Sequence, residues 1–517
     1  ASVTSQNYFM GLFSNRDFLQ GPTSTKAAQG VSNIEVMLVL DITGSMNESI
    51  GGGKTKLQAL KESAVSFVNI VEANDKKNGV SIGVVPYAAQ VNIPVNLRNR
   101  FTFSNLSSWN GIANAGVPDI NCLEFPVAGF TSTGVDLSVP IPMAVVGDST
   151  SGTTTDGTYV NPQGRSNLPC TTIADNTSTA VDEPALNQVM LPTKNGEDVK
   201  QKINGLVANG NTYIAVGMRW ATALIDQQAR PIYSALLPTG DPLNDMTGRP
   251  VDNGSPSTRK IIILMTDGEH VTNTHVRDAF KSGLSPIWRG ADGRYAIRFV
   301  NPSATELIRP GSGTGSLSCS GWQLTNYATR EYFVPHLKRN TVRPNDGDDT
   351  EGNGSTANAA VPNACDPRAW VSTPSWSGSG TVTQLDWSEV WRYVRVSWVA
   401  QQLFVRSGVT GFTDYTTVFN SMSAPYLATA PGNTTRLDQL LQANCLAART
   451  PVASGGAGIE IYGIMFDDAP SNRGIAAING CSSLPKTTYY YEPKSSADLT
   501  AAFNQIATDI SDLRLTQ

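Results

Sequence analysis

The sequence predicts an α/β fold: a mostly parallel sheet flanked by helices and interrupted by two large disulfide-stapled insertions. Two apolar runs that stop on a carboxylate, "IEVMLVLD" at Asp41 and "RKIIILMTDGEH" at Asp267, read as strands buried on both faces. An amphipathic helix and a second buried strand follow the first run, a βαβ unit that requires a parallel sheet with right-handed crossovers. Between these blocks lie two stretches of Ser, Thr, Gly, Pro and Asn too long for ordinary connections.

Residues 1–30 are polar with a few aromatics and show no clear periodicity. After the strand ending at Asp41, Leu57, Leu60, Ala64, Phe67, Val68 and Val71 recur at helical spacing, and "VSIGVVPYA" is the next buried strand. The first excursion covers 101–182. Periodicity resumes with "EDVKQKINGLV", then with "GNTYIAVGMRWATALI", a turn leading into a helix, and then with the strand ending at Asp267. The second excursion, 271–433, contains the tract "NDGDDTEGNGS" and one expected long helix, "DWSEVWRYVRVSWVAQQLFV". The sheet pattern returns with helix "RLDQLLQANCLAA", strand "GIEIYGIMFD", short strand "TTYYYE" and a final helix. One domain therefore reads as split over 31–100, 183–270 and 434–517.

Charged residues make up 16% of the 517, against roughly 25% in an average soluble domain, and the net charge is −5. That balance gives no electrostatic footprint for nucleic acid and no basic cluster for an anionic membrane. No apolar run approaches the roughly 18 residues of a membrane helix. The chain begins at Ala1, so membrane attachment would depend on an upstream signal or anchor removed from it.

Six cysteines, at 122, 170, 319, 365, 445 and 481, form no CxxC pair and have no His at zinc-like spacing. An even, spread-out set in such a chain reads as disulfides made in an oxidising compartment, set against six unrelated buried thiols. Nearest-neighbour pairing, 122–170, 319–365 and 445–481, is the favoured arrangement, because each pair brackets one irregular segment or supersecondary unit.

In an open parallel sheet, functional residues gather at the carboxyl ends of strands, near the point where strand order reverses. Asp41, Thr43 and Ser45 leave one strand end at alternate positions, Asp267 leaves another, and Thr212 opens a helix expected on the same edge. Two acids and three hydroxyls make an all-oxygen set of the hard type that suits Mg²⁺ or Mn²⁺, with Ca²⁺ a third option. Hydroxyl donors keep the site's own negative charge low, so a bound ion stays electrophilic toward an outside carboxylate. Gly44, between Thr43 and Ser45, is expected to permit a tight backbone.

D-x-[ST]-x-S after a buried strand, a Thr in a Gly-x-Thr turn and "TDG" after another strand together resemble the von Willebrand factor A domain and its metal-ion-dependent adhesion site. The resemblance places Asp41, Thr43 and Ser45 in the first metal loop, Thr212 in the second and Asp267 in the third, within a Rossmann-like fold. More narrowly, "VLDITGSM", "KLQALKESAVSFVN", "VSIGVVPYAAQVN", "ILMTDGEH", "IYGIMFD" and the C-terminal "YYYEPKSSADLTAAFNQIATDISDLRL" resemble the TadG-type proteins of bacterial tight-adherence (Tad) pilus systems. That match covers about half the chain, in three blocks, and leaves out both insertions. Members usually begin with a membrane-anchoring helix, and this sequence has none.

The resemblance implies a non-enzymatic adhesion protein of the bacterial periplasm or surface. It would capture an Asp- or Glu-bearing protein partner, such as a pilus or envelope component, through Mg²⁺. A structural scaffold with incidental metal is the alternative. A metal hydrolase would need a general base, and only Glu48 and Glu269 lie near in sequence. "NDGDDTEGNGS" lacks the glycine and terminal Glu of an EF-hand and reads as a solvated loop. His270 and His275 are wrongly spaced for paired ligands on one helix face. The tryptophans of the second insertion are either its small core or an interaction face.

Overall fold

The computed structural model describes residues 3–6, 18–21, 33–103, 121–144, 186–241, 243–272, 274–299, 331–337, 369–407, 409, 411–412, 414–425 and 434–515. Its centre is a six-stranded sheet of β1 (Asn33–Asp41), β2 (Val80–Tyr87), β3 (Met190–Thr193), β4 (Thr258–Thr266), β5 (Glu460–Met465) and β6 (Tyr490–Tyr491). The spatial order is β6-β5-β4-β1-β2-β3, with every pair parallel except the antiparallel edge strand β3. The chain leaves β1 toward β2 on one side and later returns to β4 on the other. The order therefore reverses at the β1/β4 boundary, where Leu40 lies opposite Met265.

Both faces of the sheet are covered, which explains the nearly unbroken apolar runs in β1 and β4. On one face, Val36, Leu38, Val84 and Ile263 meet α1 (Lys56–Asn74), α2 (Gly196–Gly205) and α6 (Ser496–Leu515). Burying Leu60, Phe67 and Val68 of α1 there contributes roughly 1.5–3 kcal/mol per side chain. On the other face, Met37, Val39, Val85 and Leu264 meet α3 (Ile214–Ile225), α4 (Thr435–Arg449) and α5 (Asn472–Cys481). The mostly parallel sheet flanked by helices is thus as the sequence implies. Among the described residues, no helix is long and apolar enough to cross a membrane.

The described part of the first insertion is continuous with this core. Phe101 and Phe125 stack edge-on against Trp220 of α3, with ring centroids 5.8 and 5.1 Å away. The second insertion has a core of its own. Leu284–Gly290, Tyr295–Arg298, Tyr332–Phe333, Trp370–Val371 and Val382–Asp386 form an antiparallel sheet around Trp370, Trp387, Trp391 and Trp398. These tryptophans are core residues, and Trp387 and Trp391 stack at 5.4 Å. The insertion enters through Thr274–Val276 and leaves through Ser423–Pro425, which pair antiparallel.

Three expectations need correction. The long helix over 386–405 is broken: Asp386 caps a helix over Trp387–Tyr393, Val394 is extended (φ −138°, ψ 157°), and a wider-turned segment covers Val399–Phe404. β-branched residues at 394, 396 and 399 weaken helix continuation, and the break lets Trp391 and Trp398 both enter the core. Residues 1–30 hold two short strands, Val3–Gln6 and Phe18–Gly21, paired antiparallel. The expected pair Cys445–Cys481 is present, but this disulfide, the one placed among the described residues, clasps α4 to α5 in the core domain with Cα atoms 5.1 Å apart and staples neither insertion. Cys122 is also disulfide-bonded, whereas Cys170, Cys319 and Cys365, and the tract "NDGDDTEGNGS", lie outside the described residues.

Candidate metal centre

Asp41 ends β1, and its first turn is pinned from below by Met46, a fully buried plug in the 3-10 turn Gly44–Asn47. Asp41 Oδ1 accepts the Thr43 amide at 2.8 Å, Oδ2 accepts from Thr266 Oγ1 at 2.7 Å, and the single Tyr87 hydroxyl proton is shared between Asp41 Oδ2 at 3.1 Å and Met265 O at 3.0 Å. These donors fix the carboxylate's orientation. Ser45 Oγ donates to Asp267 Oδ1 at 2.8 Å, so the 3.0 Å contact between Thr43 and Ser45 must run from the Thr43 hydroxyl to Ser45 Oγ. A directed chain Thr43→Ser45→Asp267 therefore joins two loops that are 222 residues apart.

The Thr212 loop is stitched onto the same edge. The Gly44 amide donates to Gly210 O at 2.8 Å, the Asn209 amide to Ile42 O at 2.8 Å, and the Val271 amide to Thr212 O at 2.9 Å. The structure thus brings Asp41, Thr43, Ser45 and Asp267 into one network, and sets Thr212 beside it through the backbone. Among the described residues, no hydrogen bond ties the Thr212 hydroxyl to the other four. Gly44 is not the glycine the turn requires, since a Cβ there would make ordinary contact with Gly210 O at 3.5 Å. Gly210, at φ +93°, is the residue in the left-handed region.

Sequence reasoning missed four neighbours. Lys56, the first residue of α1, turns its buried ammonium toward Asp467 Oδ2 (2.6 Å), Glu48 Oε2 (3.1 Å) and Asp267 Oδ2 (3.2 Å). Nothing in "KTKLQALKE" marks it out from a solvated helix start. Asp467 follows β5 as Asp41 ends β1, so the same signal, an apolar strand closing on an acid, was present in "IYGIMFD". Tyr87 and Thr266 read as ordinary strand residues.

Electrostatically, the site wants positive charge. Burial pushes the Asp41 carboxyl above its usual range, against the hydrogen bonds from Thr43, Thr266 and Tyr87. Burial, then the Asp41 charge, pushes Asp267 up to about 7, although Lys56 and Ser45 act in the opposite direction. Lys56 is held above its ordinary value: burial opposes its charge, but the Asp467, Asp267 and Glu48 carboxylates outweigh it. Two carboxylates beside the Thr43 and Ser45 hydroxyl oxygens make a donor set of the hard type that suits a dication. Among the described residues, no group of three or more His, Cys, Asp or Glu is placed to hold a metal.

The two histidines have other work. The Ala215 amide donates to His270 Nε2 at 3.0 Å, so Nδ1 carries the proton and donates to Asp438 at 2.8 Å. Burial lowers the affinity of His270 for a second proton, and the neutral ring links the Asp267 loop to the start of α3 and to α4. His275 Nδ1 lies 2.7 Å from Glu124, joining the second insertion to the first.

No family model and no curated protein matches the sequence. Solved structures similar in outline are all distant. A variant of the PilB minor pilin from Streptococcus sanguinis is 12% identical, with 95% of this chain and 65% of that one covered and a TM-score of 0.31. The vWF domain of the type V pili tip protein Mfa5 from Porphyromonas gingivalis is 13% identical, with coverage of 93% and 96% and a TM-score of 0.31. The pilus adhesin SpaC from Lactobacillus rhamnosus GG is 11% identical, with coverage of 93% and 31% and a TM-score of 0.29. The chain thus spans under two thirds of the PilB chain and about a third of the SpaC chain.

Proposed function

We propose that this chain is a von Willebrand A-type adhesion protein of a bacterial envelope or surface, of the TadG kind associated with Tad pilus assembly, and not an enzyme. Asp41, Thr43, Ser45, Thr212 and Asp267 would hold Mg²⁺, with Mn²⁺ and Ca²⁺ as alternatives. The observation that carries this reading is the directed chain Thr43→Ser45→Asp267 at the strand-order reversal, beside the oriented Asp41 carboxylate. A bound dication would supply an electrophilic position for an Asp or Glu carboxylate of a protein partner. The chain's own part is to orient oxygens: Tyr87 and Thr266 fix Asp41, and Ser45 and Lys56 fix Asp267. The Cys445–Cys481 bond supports an oxidising, extracytoplasmic setting. Glu48 is engaged by Lys56 and Glu269 by Ser471, which gives no support to either as a hydrolytic base.

One observation favours the scaffold alternative: the Lys56 ammonium partly neutralises Asp267 with no metal involved. Titration with MgCl₂ and capture of envelope or pilus proteins, with and without EDTA, separates the two. Metal-dependent adhesion requires Mg²⁺ binding that Asp41→Ala and Thr212→Ala abolish in folded protein, together with EDTA-sensitive capture. Capture unchanged by EDTA and by Asp41→Ala supports the scaffold.

A further inference from the structure

We propose that Lys56 sets which dication the site prefers, by letting Asp267 offer only one carboxylate oxygen. This rests on the metal reading above and deepens it. Asp267 Oδ2 is held by the Lys56 ammonium at 3.2 Å, while Oδ1 faces Ser45 at 2.8 Å. The ammonium cannot easily move away, because Asp467 at 2.6 Å and Glu48 at 3.1 Å fix it from two further loops. Its side chain is buried along its length.

Helix α1 has no need of a lysine there. Thr55 and Gln58 already form a reciprocal capping box, and a cation at the first helical position opposes the helix dipole. The residue's position is explained by the three strand-end loops it joins, not by the helix it begins.

The consequence for a ligand ion follows from coordination chemistry. Ca²⁺ accepts six to eight oxygens in flexible geometry and often takes both oxygens of one carboxylate. Mg²⁺ demands a near-octahedral shell at about 2.0–2.1 Å, into which the narrow bite of a bidentate carboxylate fits poorly. An Asp267 with one oxygen committed to Lys56 is therefore a donor suited to Mg²⁺ or Mn²⁺. Freed from Lys56, it could swing both oxygens toward the ion and admit Ca²⁺.

The test is calorimetric titration of the full chain with MgCl₂ alone and with CaCl₂ alone, with circular dichroism melts to establish folding. Wild type should bind Mg²⁺ more tightly than Ca²⁺. Lys56→Met should lower the Mg²⁺/Ca²⁺ affinity ratio by about tenfold or more, and Lys56→Arg, which keeps the charge and the donors, should retain most of the preference. A residue serving only to hold the loops together would weaken both ions alike and leave the ratio unchanged. If Lys56→Met does not fold, Asp467→Asn, which removes the shortest anchor of the ammonium, should shift the ratio in the same direction. An unchanged ratio in a folded variant, or a wild type that prefers Ca²⁺, overturns the proposal. Wild type that binds neither ion overturns the metal reading itself.

Discussion

The two ends of the central sheet both bury charge, and they do so in opposite ways. At the amino end, Glu35 of β1 lies between Lys260 (3.3 Å) and Arg249 (3.6 Å), and it accepts the Val251 amide. Arg249 also donates to Ser81, Asn33 and Gly79 O, and Lys260 to Ile225 O. The acid there is outnumbered by cations with fixed hydrogen bonds. At the carboxyl end, burial raises the charge cost of both Asp41 and Asp267, the Asp41 charge adds to that of Asp267, and Lys56 is shared with two further acids. One end is closed and serves the fold. The other is left short of positive charge, and that shortage makes it a binding site.

The largest effect expected from this contrast is on stability at the closed end. Arg249→Met leaves Glu35 with one cation and strands several acceptors, and should cost about 3–5 kcal/mol in urea unfolding. Mg²⁺ affinity should survive in whatever fraction stays folded. A loss below about 1 kcal/mol would erase the distinction between the ends, because the amino cluster would then be no more than surface-like pairing.

At the open end the balance should invert. Asp41→Asn keeps a side chain of the same shape and removes a charge that burial already disfavours. Metal-free protein should therefore melt no lower than wild type, while Mg²⁺ affinity falls by about 100-fold or more, beyond the usual cost of losing an outer-shell partner. A variant that binds Mg²⁺ normally would remove Asp41 from the site.

A smaller, sharper test concerns Tyr87. Gly217 lets α3 approach β2 so closely that a Cβ there would sit 2.6 Å from the Tyr87 ring, which fixes where its hydroxyl can reach. Tyr87→Phe should weaken Mg²⁺ by about tenfold through the loss of one hydrogen bond to Asp41. Its melting temperature should change only slightly. A large stability loss with unaltered affinity would make Tyr87 part of the closed, structural class instead.

Of the two ends, only the carboxyl one was legible in the sequence, and unevenly. Asp41 and Asp267 stand out because nothing apolar replaces them at the end of a buried strand, and the hydroxyls at 43 and 45 follow at regular spacing. Lys56 was invisible because its role depends on where three distant loops meet, and local pattern holds no record of that. The second insertion was misread for a different reason. Its strands are two to seven residues long, too short for a period to emerge, and "VRVSWV" carries helical and extended preferences at once. Tertiary burial of Trp391 and Trp398 decided between them.

The paired entry and exit strands of the second insertion have a consequence for how this chain can change over generations. Thr274–Val276 and Ser423–Pro425 bring the two ends of the excursion side by side, a few residues past Asp267. The entropy of closing that loop is already met at the ribbon, and flexible residues added within it cost only about 0.6 kcal/mol for each doubling of length. The oxygens of the Asp267 loop can therefore stay fixed while the material hung beside them is lengthened, trimmed or exchanged. The rim of the site is free to diversify without renegotiating its centre.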